Sequence, residues 1–141
     1  KGDRVIASEG VIAEVACLVR TPCLQGRAML VRLPGGAYVT PHHPVRLDGA
    51  WRFPADFAEP EECTCQAVCS VVLQGAPALL VGGVPCVALG HGLEEGAARH
   101  PYFGTSTVID DLRGAAGFDS GLVEIQPSQV VRDANTGLVS A

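Results

Sequence analysis

Turn formers recur along this chain at short intervals, and the apolar runs between them are too short for long helices. "RAMLVRL" closes on "PGG" (34–36), "PVRL" on "DG" (48–49), "VVL" on "QGAP" (74–77) and "ALLV" on "GGVP" (82–85). Asp-Gly and Gly-Gly pairs tolerate positive φ, so Val- and Leu-rich runs bounded by them read as strands joined by tight turns. This spacing predicts an all-β chain. The composition fits, since 17 glycines and 10 prolines accompany 48% apolar residues. A length of 141 residues suits one domain with a substantial core.

Residues 3–20 are expected to form two strands around a Ser-Glu-Gly turn, the second with a bulge or bend. "TPCLQG" (21–26) is a turn, and "RAMLVRL" with "AYVTPHHPVRL" forms a hairpin across "PGG". Trp51 and Phe53 are expected to anchor the core. "QAVCSVVL", "ALLV" and "CVAL" are further strands. Two stretches repeat one pattern: "LPGGAYVTPHHPVRL" (33–47) and "LQGAPALLVGGVPCVAL" (73–89) alternate strands, Gly-containing turns and Pro. That likeness suggests a domain of two related halves. The last third changes character. "STVIDDLRGAAGF" predicts a short helix capped by Ser106 or Thr107, with Asp110 and Asp111 in its first turn. "DSGLVEI" and "ANTGLVSA" are expected to be short strands. The whole reads as a single domain over 1–141, with a core over 1–90 and an extension over 91–141.

Charge excludes some functions. The net charge is −5 and Arg is scattered, so no basic face for nucleic acid is expected. No run of roughly 18 apolar residues is present to cross a membrane as a helix. "KGDRVIASEG" lacks a signal-peptide profile, and a start on Lys is expected of a segment cut from a longer protein. The six cysteines (17, 23, 63, 65, 69, 86) are expected to be mostly reduced and buried rather than disulfide-bonded. That expectation places the protein in the cytoplasm.

"CTCQAVC" invites a zinc site, but a structural zinc needs four ligands, and no second knuckle accompanies Cys63, Cys65 and Cys69. Those three are expected to share one strand face as ordinary buried residues. No metal or cofactor is expected. A trans-acting cysteine protease is also disfavoured, because no cysteine sits where a helix N-terminus would stabilise its thiolate. "YVTPHHPVRL" (38–47) is more specific. Thr40-Pro41-His42-His43 fits T-x-x-H, with Pro41 and Pro44 fixing the backbone so that the Thr40 hydroxyl and the His43 ring can face one site. Strand alternation turns His42 the other way.

At this motif the sequence resembles the Hint family, the shared domain of inteins and hedgehog autoprocessing segments. "VTPHHPV" is similar to the stretch that carries the family's Thr and His, "KGDRV" (1–5) to the Gly-Asp stretch after its nucleophile, and 68–87 to its late block. The region from Cys86 to Gly114 resembles Hint regions attached to von Willebrand A-type domains. The resemblance implies a pseudo-twofold, horseshoe-like all-β Hint fold with a short C-terminal helix. It also implies intramolecular N-to-S acyl shift and self-cleavage, with Thr40 and His43 as catalytic residues and Cys86 as a candidate second thiol. Read from the residues alone, Cys86 is favoured as a buried strand residue, and His91 and His100 are structural polar residues. The implied substrate is the chain's own flanking polypeptide, in cis, with a von Willebrand A-type domain as a possible neighbour. The nucleophile is expected upstream of Lys1, because the attacked bond must directly precede the thiol, so this segment by itself is expected to be inactive. Val87 and Ala88 stand where a splicing His-Asn pair would fall, so splicing is not expected. The alternative is a non-catalytic β interaction module of a multidomain protein.

Overall fold

A computed structural model of the chain describes residues 2–7 and 10–125. The strands are β1 (Arg4–Ile6), β2 (Ile12–Pro22), β3 (Arg27–Arg32), β4 (Tyr38–Val39), β5 (Val45–Leu47), β6 (Ala50–Arg52), β7 (Glu61–Thr64), β8 (Ala67–Gln74), β9 (Ala78–Val81), β10 (Val84–Val87) and β11 (Leu122–Glu124). Among the described residues one α-helix, α1 (Ser106–Arg113), interrupts them. The fold is all-β with a short helix. The expected strand in "ANTGLVSA" lies outside the described residues.

β2 organises one sheet. It pairs antiparallel with β1 at its start and with β8 along its length, and parallel with β11 near its end. The register slips between Val15 and Cys17, the bulge expected from the imperfect alternation there. Past Pro22 the ladder turns a corner: β3 continues from β2, β7 precedes β8, and β3 pairs antiparallel with β7. A second sheet has the order β6-β5-β10-β9. Here β5 and β10, the closing strands of the two similar stretches, pair with each other through Val45 and Cys86. The sheets remain open, and no closed barrel forms among the described residues.

The tight turns follow the local chemistry. Asp48 and Gly49 both have positive φ (53° and 77°), as a two-residue hairpin between β5 and β6 requires. Gly82 and Gly83 do the same between β9 and β10. Gly35 then lies so close to this second turn that a Cβ would fall 2.0 Å from the Gly82 carbonyl oxygen. The "PGG" and "GG" turns therefore touch backbone to backbone.

Two apolar clusters hold the molecule. Leu33, Val45, Val84 and Cys86 join the small sheets. Cys17, Val19, Val72, Val108, Leu112 and Val123 join β2, β8, α1 and β11. The helix therefore covers the first sheet with Val108 and Leu112, one turn apart on a single face. Its cap differs from the expected Ser106 or Thr107. Thr105 is the N-cap, its Oγ1 accepting from the Thr107 N–H at 3.4 Å. The two aspartates consequently fall past the first turn, where Asp111 accepts a 2.6 Å bond from the Tyr102 hydroxyl. Trp51 and Phe53 are only half-buried, unlike the expected core anchors. β6 is an edge strand, with the short 3₁₀ turn Gly96–Ala98 beside it.

Candidate active site

The Thr40–His43 stretch is a β-turn with Pro at its second position, closed by a 3.2 Å bond from the His43 N–H to the Thr40 carbonyl. A second bond, from the Ala55 N–H to the Pro41 carbonyl (2.9 Å), ties the turn to the 3₁₀ segment Pro54–Asp56. The two histidines then diverge. The His42 ring packs edge-on against Phe53, with centroids 5.5 Å apart. The His43 ring turns toward the end of β10, where Nε2 lies 3.0 Å from the Val87 carbonyl oxygen. Val87 is held from both sides, since its N–H donates to the Pro44 carbonyl at 3.2 Å.

A carbonyl can only accept, so this contact puts the proton of neutral His43 on Nε2 and leaves a lone pair on Nδ1. Burial pushes the His43 pKa below its usual 6.5, and the Val87 bond only partly opposes that. At neutral pH the ring is thus an uncharged base with a fixed tautomer. The Thr40 side chain is half-buried, and its hydroxyl has no hydrogen-bond partner among the described residues. One turn therefore presents an oriented proton acceptor and an uncommitted hydroxyl.

A family model described as Vint, a Hint-domain family, matches residues 1–141. The chain belongs to the Hint-domain family. No curated protein matches it.

In this Hint domain a second histidine, His91, stands near the first. Its pKa is pushed down by burial foremost, and a hydrogen bond to the Ala98 backbone opposes this. Positive charge on His100 or His43 would lower it further, which places all three rings in one electrostatic neighbourhood. His91 Nδ1 accepts from the Leu93 N–H at 2.9 Å, which ties the ring to its own loop. His100 Nδ1 accepts from the N–H groups of Tyr102 and Phe103 (3.0 and 2.9 Å). Gly104 makes this packing possible, because a Cβ there would sit 2.7 Å from the His100 carbonyl oxygen and 3.1 Å from His91 Cε1. A cavity of about 360 Å³ lies alongside, lined by Glu94, Arg99, His100 and Thr105 among others. The sequence marked His91 only as a polar residue at a turn, and "GHG" carries no signal of its distant neighbour.

Cys86 lies in a different environment. It is 2% exposed, packs with Leu33, Val45 and Val84, and its thiol points at the Val84 carbonyl (3.5 Å). Burial raises its pKa to about 11, so it is a protonated thiol at neutral pH. Only Cys17 and Cys86 of the six cysteines are buried, fewer than expected. Cys63, Cys65 and Cys69 do not share a strand face, because the corner between β7 and β8 separates them. Among the described residues, no three His, Cys, Asp or Glu side chains are arranged to hold a metal ion.

Proposed function

We propose that this Hint domain is the self-processing unit of a longer polypeptide and acts on the peptide bond that joins it to the segment before it. The observation that carries this reading is the His43 Nε2–Val87 carbonyl bond, which leaves Nδ1 of a neutral imidazole as a proton acceptor on the same turn that carries Thr40. A cysteine just after the scissile bond, on sequence preceding Lys1, supplies the thiol. His43 Nδ1 takes its proton, and the thiolate sulfur attacks the preceding carbonyl carbon. The carbonyl π electrons move to oxygen, and the Thr40 hydroxyl and nearby backbone N–H groups stabilise that charge. Collapse re-forms the C=O bond and breaks C–N, and the imidazolium returns the proton to the departing amine. The product is a thioester, which a second nucleophile then cleaves. Water, a thiol or a hydroxyl compound would serve. Cys86 fits that second role poorly in this conformation, because its thiol is both buried and protonated.

The test is self-cleavage of the parent segment, made with its upstream residues and followed with and without dithiothreitol. His43→Ala should slow thiol-induced cleavage by roughly 10²–10⁴-fold, the usual worth of a positioned acid–base group. His42→Ala, which removes a ring packed edge-on against Phe53, should stay near the parent rate. Equal effects of the two changes would overturn the assignment. One observation favours a second reading, a binding module. Ile6 and Ile12 face each other across β1 and β2 and are 61% and 66% exposed. Cleavage that is absent in the parent, with the intact domain still folded, would select that reading.

A further inference from the structure

The corner where the long ladder bends brings two cysteines together. Cys23 directly follows β2, and its N–H donates to the Gln66 carbonyl at 2.8 Å. Cys65 precedes β8, and its N–H donates to the Gly26 carbonyl at 2.8 Å. These two bonds lock residues 23–26 against residues 65–66 where the chain passes from one sheet to the next. Cys23 and Cys65 therefore sit on neighbouring backbone segments across the corner, and after burial the Cys65 thiol is the largest influence on the Cys23 pKa. Both cysteines are partly exposed, so a small oxidant can reach them. Nothing in the acyl-shift scheme uses either thiol.

We propose that Cys23 and Cys65 form a reversible disulfide that staples this corner. The two thiols are present as a dithiol in the structure. A low-molecular-weight disulfide such as oxidised glutathione supplies the oxidising equivalents. One cysteine thiolate attacks a sulfur of that disulfide, forming a mixed disulfide and expelling one small thiolate. The second cysteine thiolate attacks the protein-side sulfur of the mixed disulfide and expels the other. One S–S bond has formed in the protein and one has broken in the oxidant, and the two protons lost by the cysteines end on the two small thiols. Burial, followed by the neighbouring Cys65, raises the Cys23 pKa, so this thiol is protonated at neutral pH. The bond would close a loop of about 40 residues that contains β3 to β7 and the Thr40–His43 turn, which restricts the unfolded chain considerably. The proposal is independent of the autoprocessing reading.

The full chain should be equilibrated with oxidised glutathione, its remaining thiols alkylated, and the digest mapped by mass spectrometry. The expected result is a loss of two hydrogens and a single linked peptide pair joining residues 23 and 65. Dithiothreitol should reverse it. The oxidised protein should melt roughly 10 °C above the reduced one, given a loop of this length in a domain of this size. Cys23→Ser and Cys65→Ser should each remove the linked pair and the melting difference, and Cys69→Ser should keep both. A persistent dithiol under these conditions would overturn the proposal. So would a bond through Cys63 or Cys69 instead, and the wild-type peptide map decides this even if a variant fails to fold.

Discussion

His43 owes its chemistry to where its two nitrogens go. Its Nε2 is committed to a main-chain carbonyl 44 residues away in sequence, and burial disfavours the charged ring. The folded state therefore binds fewer protons than the unfolded chain at pH values between the lowered folded pKa and the ordinary 6.5. Stability from this source is complete above the unfolded value and is lost as the pH falls through the folded one. His91 is shifted with the same sign and for the same first reason. The denaturant midpoint should therefore fall as the pH drops from about 6.5 to 5, and a His43→Gln, His91→Gln double variant should show a shallower fall over that range. Parallel pH profiles for the two proteins would refute the account. At this scale the residue types were legible in "VTPHHPV", because a Pro-bounded turn is a local signal. The partner of His43 was not, since a backbone carbonyl has no side-chain signature.

The strands and turns tell a similar story at the level of elements. Asp48-Gly49 and Gly82-Gly83 declared their hairpins from sequence because positive φ at two adjacent positions is a local demand. The contact between the "PGG" turn and the Gly82-Gly83 turn was not declared, although it fixes how β3 and β4 sit against β9 and β10. Gly35→Ala would drive a methyl into the Gly82 carbonyl, with no flexible side chain to yield. Gly83→Ala meets open space and suffers only from its φ of 84°. The expected costs are about 3 kcal/mol or more for Gly35→Ala and about 1 kcal/mol for Gly83→Ala. Urea denaturation of the two variants measures this, and equal costs would show that the turns do not press on each other. The helix cap shows how a local reading slips. Ser106, Thr107 and Thr105 are all good caps in sequence, but the Thr105 backbone is extended while Ser106 already belongs to the helix.

For the molecule as a whole, the described part of the last third, up to residue 125, contributes to the core. Leu112 and Val108 from α1 and Val123 from β11 share one buried cluster with Cys17, Val19 and Val72 from β2 and β8. β11 also runs parallel to β2, with Leu122, Val123 and Glu124 opposite Leu18, Val19 and Arg20. Leu112→Ala, at a site 5% exposed, should destabilise the entire domain by about 2–4 kcal/mol. The loss should appear in one cooperative transition, with far- and near-ultraviolet signals moving together. A separate early transition for the helix would show that the region is an appendage after all. The 91–125 region also carries His91, whose pKa responds to charge on His43. By itself the sequence determined the all-β character, most of the tight turns and the Thr40–His43 motif. Each of these depends on interactions within a few residues of chain. Only the tertiary structure decided that Val87 fixes the His43 tautomer, that His91 joins it, that Cys86 is shut into the core, and that Cys23 meets Cys65 at a corner. Those contacts join residues far apart in sequence, and their geometry depends on how the sheets pack, which no local pattern encodes.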